Sequence, residues 1–449
     1  FQNKNWYQLF TNTRKCRPIK IIQENLFRKL KTLSFLFLKK SLKKILQCLQ
    51  LNARIKCGYV KKMIKAETFS MKKFLAWFLS IVIVLLVFGG GCFALAKYNT
   101  NSLAHSYYQK LTGKPVRSSK KLEIAYKVPV TMQKDKAASK VDSALKTNNL
   151  VGSTAIIRKG QLTYLTATGR SHYPGGSKNT NTTKYQIGSA QDLITAASVM
   201  KLSQQKKLKL SDKLSKYYPK ISGSKQITVK NLLNMTSGLS ITATPSATDS
   251  FPTLLSWNEN NVQSSGQTGS YDYQAVNYVL LAGIIQIASD QPYRKFIQTQ
   301  VIDKLDLKNT GFVLNSTKRD KLATSYEDSY SGGKVAVKGM AKVQSTKLGP
   351  YQMYMSTQDL ATTYLYILSG KFIKSTNVDK LIGSSKPSFA GGVYSGKNYF
   401  TVHGQLGGYQ DSIQIDAGKK NGVVLLTNYV PTGIKNTQTA PIIYNTVFK

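Results

Sequence analysis

Cysteine, histidine and acidic side chains are scarce in this chain, and their scarcity excludes several kinds of site. Among 449 residues there are four cysteines, three histidines, and 20 acidic against 64 basic residues. The cysteines are Cys16, Cys48, Cys57 and Cys92, and the histidines are His105, His172 and His403. No Cys/His cluster has the spacing of zinc ligands, so we predict no metal site and no cofactor. The part after Cys92 has no disulfides, and a domain of that size needs none.

A long apolar run near the N-terminal end predicts a membrane anchor. Residues Phe74–Ala96 are almost uninterruptedly apolar and follow Met71-Lys72-Lys73. Such a run is long enough to cross a bilayer core of roughly 30 Å, and the lysines before it favour export of the C-terminal part. A cleaved signal peptide is the alternative, but no convincing small-x-small site follows the run. We therefore predict an uncleaved signal anchor over residues 71–96 and an extracytoplasmic stalk over residues 97–140.

Residues 1–70 are predicted to have no function of their own. They resemble no family and lack an initiator methionine, which favours upstream sequence translated in frame, with the native protein starting at Met71. A basic amphipathic cytoplasmic arm is the other interpretation.

The excess of positive charge predicts a polyanionic environment. The net charge is +44, and residues 1–70 hold 17 basic and 2 acidic residues, so with Lys72 and Lys73 set aside about +27 remains on the exported part. Export argues against nucleic acid, and we favour the anionic membrane surface and the phosphates of the cell envelope. A surface that is lysine-rich for solubility or by genomic bias is the alternative.

The segment Tyr185–Asp192 carries the most informative motif. It reads Tyr-Gln-Ile-Gly-Ser-Ala-Gln-Asp, and an apolar run with helical spacing follows. A serine that closes an extended segment and opens a helix is typical of the S-x-x-K serine acyltransferases, in which a lysine one turn later helps to remove the serine proton. In this chain Asp192 stands at the position of that lysine.

Several further segments, in the same order along the chain, resemble the serine β-lactamase-related and penicillin-binding-protein-like family. These segments are Leu208–Pro219, Ile227–Leu239, Tyr278–Ile285, Leu305–Phe312, Met355–Leu360, His403–Tyr409 and Gly422–Asn428. The resemblance covers the chain from about Val141 to its end. It implies an α+β fold, with an antiparallel sheet domain and an all-helical subdomain, over residues 141–449.

Local patterns predict the elements of this fold. Val151–Ile157 and Gln161–Thr168 predict a hairpin, and Ser171–Thr183 predicts a loop. Helices are predicted at Leu193–Leu208, Tyr278–Ala288 and Pro441–Phe448, strands at Gly392–Thr401, Gln410–Ile415 and Gly422–Thr427, and an irregular segment at Ile241–Gln267.

The resemblance assigns roles to three residues. Ser189 would be the nucleophile, although Ser-x-x-Asp before an apolar run is also typical of a helix capping box. Tyr273 would be the general base and acid of the family's Y-x-N motif, with Ala275 in place of the asparagine; Tyr271 is a competing alignment. His403 would begin the third motif, on a strand that lines the cleft.

Two residues of the third motif are assigned to substrate binding. Gly404 follows His403, and Gln405 replaces the motif's final glycine, so its side chain would narrow the pocket.

The altered motifs predict a substrate whose leaving group departs with little assistance. Without the lysine, an ester is a better substrate than a peptide, because an alcohol leaves with less assistance than an amine. The pattern resembles the teichoic-acid D-alanyl esterases of the DltE type, and Asp192 would then bind the α-ammonium group of the D-alanyl ester. A D-Ala-D-Ala carboxypeptidase that reacts with penicillin, or a wall-polymer-binding protein without catalysis, are the alternatives. No prediction of oligomeric state follows from the sequence.

Overall fold

The structure is a computed structural model, and it describes most of the chain after residue 125. The described residues are 126–449 except 129, 133, 244, 247–249, 315–321, 330–332, 339–348, 350 and 384–387. The predictions for residues 1–70, for the anchor at 71–96 and for residues 97–125 of the stalk lie outside the described residues. Within the described part, no helix has both the length and the apolar character needed to span a membrane.

A seven-stranded antiparallel sheet forms the centre of the fold. In chain order its strands are β1 (Val151–Arg158), β2 (Gln161–Thr168), β10 (Ser388–Ala390), β11 (Val393–Ser395), β12 (Tyr399–Leu406), β13 (Tyr409–Asp416) and β14 (Gly422–Tyr429). They lie in the spatial order β10-β11-β12-β13-β14-β1-β2, so the first and last strands in chain order, β1 and β14, lie side by side. The hairpin of β1 and β2 was predicted, and Lys159 and Gly160 at its turn both have positive φ, the conformation that two-residue hairpin turns require.

The remaining strands are short and form three small sheets. They are β3 (Tyr185–Gln186), β4 (Leu239–Ser240), β5 (Gln263–Ser264), β6 (Gly311–Phe312), β7 (Tyr326–Asp328), β8 (Lys334–Ala336) and β9 (Met353–Met355). One sheet has the order β3-β9-β6, and the others pair β4 with β5 and β7 with β8.

Helices cover both faces of the main sheet and form a separate helical region. They are α1 (Lys136–Thr147), α2 (Gln191–Gln204), α3 (Val229–Leu233), α4 (Phe251–Asn261), α5 (Val276–Ser289), α6 (Tyr293–Ile297), α7 (Asp303–Leu305), α8 (Thr357–Leu368), α9 (Ser375–Ile382) and α10 (Asn436–Phe448). A π-helical turn, Gln298–Ile302, joins α6 to α7.

Two apolar cores, one on each face of the sheet, hold these layers together. On one face α1 and α10 bury Val141, Leu145 and Ile443 against the sheet. On the other face α2 and α8 pack in the main core, which continues into the helical region through α5. Burying side chains of this size stabilises the fold by about 1.5–3 kcal/mol each. The predicted α+β architecture is therefore confirmed.

Several predicted boundaries differ from the structure. Ile241–Gln267 contains helix α4, because Ser250 caps its first turn and Leu254 is fully buried. Gly392–Thr401 contains the whole of β11 and the first residues of β12.

The two terminal helices also begin earlier than the sequence predicts. Helix α10 begins at Asn436 instead of Pro441, since Ala440 already packs on the sheet. Helix α1 begins at Lys136, so the last residues of the predicted stalk belong to the packed domain.

Candidate active site

Ser189 lies where an extended segment becomes a helix, as the sequence predicts. A 3₁₀ turn, Gly188–Ala190, follows strand β3 and leads directly into α2. Gly188 has φ 46°, and a Cβ at this position would lie 2.7 Å from Oδ1 of Asp411. Ser189 is half-buried between two buried neighbours. The turn thus leaves the serine hydroxyl accessible at the positive end of a helix dipole.

The Tyr273 phenol links the Ser189 hydroxyl to a buried carboxylate. The Oη atom of Tyr273 lies 3.0 Å from Oγ of Ser189 and 2.9 Å from Oδ2 of Asp192. The phenol has one proton and can donate it to Ser189 or to Asp192. When Asp192 is ionised its carboxylate only accepts, so the phenol then donates to Asp192 and the serine hydroxyl is free to donate to the phenol. The three groups form a hydrogen-bonded chain that ends on the residue in the lysine position.

Burial sets the proton affinities in this chain. Asp192 has no exposed surface, and burial raises the pKa of its carboxyl well above the usual value, with a further rise from the charge of Asp411. Burial also raises the pKa of the Tyr273 phenol, and the Asp192 charge raises it further. The phenol is therefore neutral and a poor base alone, whereas the carboxylate is an unusually strong base for its type.

Asp411 is a second buried acid that the sequence analysis missed. It lies on β13 opposite Gly404, and burial raises the pKa of its carboxyl to about 8, against the lowering effect of backbone N–H groups that include that of Ala190. Among the described residues, Oδ1 of Asp192 and Oδ2 of Asp411 have no hydrogen-bond partner. The signal in the sequence was an acidic residue within a strand-like run that follows a Gly-Gly turn.

Tyr351 also belongs to the site and was not predicted. Burial raises the pKa of its phenol, while hydrogen bonds with Tyr273 and Ser189 lower it. It comes from the segment before β9, in which no site motif was predicted. Ser189 therefore faces two phenols.

His403 is separated from the Ser189 hydroxyl by other aromatic side chains. Its ring stacks on Tyr394 at a centroid distance of 4.5 Å, and Tyr394 contacts Phe389 at 5.1 Å. Phe389 packs edge-on against Tyr273 at 5.6 Å. Burial lowers the pKa of the imidazole, so it is neutral at pH 7. Within the described part of the chain, no hydrogen bond joins His403 to Ser189, Tyr273 or Asp192, so it contributes to an aromatic wall of the cleft.

Gly404 and Gln405 have different surroundings. A Cβ at Gly404 would lie 2.4 Å from Oδ1 of Asp411 and 2.9 Å from the backbone nitrogen of Ser189, so only glycine lets β12 pass this close to the serine. Gln405 is exposed, and its Nε2 donates to the Gly407 carbonyl at 3.2 Å.

Hydrogen bonds of a buried asparagine hold the loop that carries Tyr273. Asn277 is fully buried, accepts from the Ser237 hydroxyl at 2.6 Å and donates to the Gln274 carbonyl at 2.9 Å. These hydrogen bonds fix the start of α5. Tyr271, the competing tyrosine, is 51% exposed and lies 3.4 Å from the Tyr394 hydroxyl instead of approaching Ser189.

A metal site is not part of this arrangement. In the described ranges, no group of three or more histidine, cysteine, aspartate or glutamate side chains is placed to hold a metal ion.

The family profile described as beta-lactamase matches residues 138–443. A protein of Bacillus subtilis (strain 168) described as penicillin-binding protein PbpX is 26% identical over 296 residues, which are 64% of this chain and 73% of that protein. The teichoic acid D-alanine hydrolase of Staphylococcus aureus is 28% identical over 199 residues, 44% of this chain and 50% of that protein. This second match therefore spans half of the relative's length.

A solved structure has the same fold. The crystal structure of FmtA from Staphylococcus aureus superposes with a TM-score of 0.63 at 23% identity, over 77% of this chain and 95% of that one. The profile match covers more than half of the chain, in the segments that form the sheet and the helical region. The chain belongs to the beta-lactamase family, whose members are serine hydrolases that share their fold with the penicillin-binding proteins.

Proposed function

We propose that this protein is a membrane-anchored, extracytoplasmic serine esterase that removes D-alanyl groups from lipoteichoic or wall teichoic acid. The observation that carries the proposal is the hydrogen-bonded chain Ser189–Tyr273–Asp192, because it supplies a proton acceptor without the family's lysine. The similarity to a teichoic acid D-alanine hydrolase supports the substrate class. The membrane location rests on the apolar run Phe74–Ala96.

Acylation begins with attack of the Ser189 oxygen on the ester carbonyl carbon. The serine proton passes to Oη of Tyr273 while the phenol proton passes to Oδ2 of Asp192, so neither a free alkoxide nor a phenolate accumulates. The negative charge moves from Asp192 to the carbonyl oxygen. We assign the backbone N–H of Ser189, in the turn before α2, to stabilise that developing charge; β12 approaches the Ser189 nitrogen at Gly404.

Collapse of this intermediate breaks the bond to the alcohol oxygen. The proton returns from Asp192 through Tyr273 to that oxygen, and the polymer hydroxyl leaves while the D-alanyl group stays on Ser189. Water then attacks the acyl-enzyme, gives its proton to the same chain, and releases D-alanine with regeneration of the serine. One carboxylate thus serves as the base in the first half of each step and as the acid in the second.

This assignment changes the role expected for Asp192. Its side chain has no exposed surface and points at Tyr273, so a substrate ammonium group would have to displace a phenol to reach it. We therefore assign the ammonium group to the aromatic wall, where Tyr271 and Tyr394 present rings to the cleft. An ammonium over an aromatic face gains about 0.5–1 kcal/mol at exposed sites.

The test measures free D-alanine released from D-alanylated lipoteichoic acid by the full chain. Release should be lost in Ser189→Ala and should fall by roughly 10²–10⁴ in Asp192→Asn, which keeps the size of the side chain but removes its basicity. Asp359→Asn is the matched control, because Asp359 is also a buried acid with a raised pKa but binds Asn309 and Thr310 outside the site. Undiminished release by Asp192→Asn would contradict the proton chain.

A polymer-binding protein without turnover is the second candidate. The raised pKa of Tyr273 and the aspartate in the lysine position favour it. It predicts no D-alanine release from the wild type while the polymer is still retained. Covalent labelling of Ser189 by a fluorescent penicillin would instead support a D-Ala-D-Ala carboxypeptidase.

A further inference from the structure

The positive charge of the described domain is concentrated in one short segment. Residues 126–449 contain 39 basic and 17 acidic residues, whereas residues 206–230 alone contain eight lysines and one acid, Asp212. By contrast, residues 251–300 contain two basic and three acidic residues. Genomic bias alone would spread lysine more evenly. About a third of the domain's net charge thus lies in less than a tenth of its length.

This segment is a folded layer and not a loose loop. The Leu214 N–H donates to the Ile227 carbonyl at 2.8 Å, and the Ser215 N–H donates to the Ser224 carbonyl at 3.1 Å. Leu214 and Ile227 have no exposed surface, and Tyr218 is 4% exposed. Because the apolar side chains point into the core, the lysines of the same segment point outward from a fixed backbone. All eight are exposed.

The single acid of the segment is already fully engaged. Asp212 accepts from the Lys216 ammonium at 2.7 Å, from the Tyr217 hydroxyl at 2.8 Å and from the Lys209 backbone N–H at 2.9 Å. The Lys213 ammonium donates to the Gln226 carbonyl at 3.1 Å.

Apart from Lys216, which pairs with Asp212, and Lys213, which donates to a carbonyl, six ammonium groups of the segment form no ion pair with any described residue. They form what we call the lysine surface: Lys206, Lys207, Lys209, Lys220, Lys225 and Lys230. A bound anion would reduce their mutual repulsion.

The lysine surface adjoins the cleft through α3. Lys230 lies in the first turn of that helix, and the Leu233 carbonyl near its end accepts from the Tyr278 hydroxyl at 3.0 Å and from the Gly391 N–H at 3.2 Å. Gly391 follows the strand of Phe389, which packs against Tyr273. A long polyanion on the lysine surface would therefore extend toward Ser189.

We propose that the lysine surface binds the phosphodiester backbone of the polymer whose ester groups enter the cleft. The identity of the polymer rests on the proposed function. Lysine ammonium groups are point charges that donate hydrogen bonds to phosphate oxygens in many geometries, which suits a flexible repeating chain. Large exposed apolar side chains in the described part lie elsewhere, at Val130, Met132, Tyr271, Ile287 and Val335. The surface therefore has no apolar group to insert into a bilayer, which favours the polymer over a membrane.

Substrate and product repeats differ in net charge, so the lysine surface should bind them with different affinity. A repeat with a D-alanyl ester carries an ammonium group that balances its phosphate, whereas a repeat without the ester is anionic. The lysine surface should therefore hold bare repeats while the cleft acts on an esterified one. Each turnover adds one bare repeat and strengthens the hold on the same chain.

The test compares two triple variants that lose the same charge. One is Lys207→Gln, Lys220→Gln and Lys225→Gln; the control is Lys136→Gln, Lys140→Gln and Lys146→Gln on the exposed side of α1, across the sheet. We expect the first triple to raise the ratio of the polymer KM to that of a small D-alanyl ester by about tenfold, and the control to leave it unchanged. Equal ratios in the two triples would overturn the proposal.

Binding in the absence of turnover separates this proposal from the esterase itself. Both triples are placed in the Ser189→Ala background of the full chain and titrated with polyglycerol phosphate that carries no D-alanine, at low and at high ionic strength. Weaker, less salt-dependent binding by the first triple alone supports the lysine surface even if no variant releases D-alanine. A loss of binding to phosphatidylglycerol vesicles, with polymer binding retained, would overturn it in favour of a membrane contact.

Discussion

In the proposed mechanism, Tyr273 transmits protons between Ser189 and Asp192, which do not bond each other. Its phenol contacts Ser189 and Asp192, and its pKa lies too high for it to hold a negative charge. It can act only if it gives its own proton to Asp192 as it takes one from Ser189. A buried acid with a raised pKa is the proton acceptor that this arrangement requires.

Removing one oxygen from Tyr273 tests this function. We expect Tyr273→Phe to lower kcat for D-alanine release by roughly 10²–10⁴ with little change in KM, because the ring still packs on Phe389 while the proton path is broken. The matched variant Tyr271→Phe removes only a hydroxyl that lies 3.4 Å from the hydroxyl of Tyr394. Steady-state kinetics on both variants checks the prediction, and a larger loss for Tyr271→Phe would contradict it.

Strand β12 sets the distance between the third motif and the turn that contains Ser189. It runs antiparallel to β13, which places Gly404 opposite Asp411 and against the backbone nitrogen of Ser189. A side chain on Gly404 would have to separate the strand from the turn that carries the nucleophile. The spacing of strand and turn, more than the chemistry of His403, is what the third motif contributes here.

A methyl group at Gly404 should therefore damage both activity and stability. We expect Gly404→Ala to cost about 1–3 kcal/mol of unfolding free energy and to reduce D-alanine release, because the new Cβ overlaps Oδ1 of Asp411 and the nitrogen of Ser189. Gly396→Ala, in the turn between β11 and β12, is the control, since its nearest atom would be 3.5 Å away. Chemical denaturation and activity assays of the two variants check this prediction. Equal stability and equal activity of the two variants would contradict a close contact between Gly404 and the Ser189 turn.

The sequence predicts elements whose signals are local. The hairpin of β1 and β2, helix α2 and the position of Ser189 at its start all follow from residues close in the chain. Helix α4 was missed because its apolar residues are few and its cap, Ser250, resembles loop sequence. Asp411 and Tyr351 were missed because they reach Ser189 only through sheet pairing and a distant segment, which no local pattern encodes.

At the scale of the whole molecule, buried acids make stability depend on pH in an unusual direction. Most shifted carboxyls at the surface, such as those of Asp135, Asp212 and Asp328, have lowered pKa values and contribute stability that is complete above about pH 5. Asp192 and Asp411 have raised values because they are buried. Between pH 5 and pH 8 the pH dependence of the unfolding free energy therefore comes from the buried acids Asp192 and Asp411, together with Asp359 outside the site.

The number of protons bound by the folded and unfolded chains decides whether the unfolding free energy rises or falls with pH. An unfolded aspartate has a pKa of 3.8 and Asp411 in the fold has a pKa of about 8, so between these values the folded chain holds one proton more than the unfolded chain. Between these two pKa values the contribution of Asp411 lowers the unfolding free energy by about 1.4 kcal/mol per pH unit. The decrease ends near pH 8, where the folded chain also loses the proton.

Replacing the acid by its amide removes that contribution. We expect the midpoint of thermal unfolding to fall from pH 5 to pH 8 in the wild type and to fall less steeply in Asp411→Asn, because an amide does not titrate. Asp328→Asn is the control: its pKa of about 2 places its whole contribution below this window, so its slope should match the wild type.

The same substitution should also move the pH profile of D-alanine release to lower pH. At pH values where Asp411 is ionised, above about 8, its charge raises the pKa of Asp192; the amide removes that charge, so Asp192 ionises at lower pH in that range. If the unfolding midpoint falls with pH equally steeply in the wild type and in Asp411→Asn, and the pH profile of activity does not shift, Asp192 and Asp411 are not coupled.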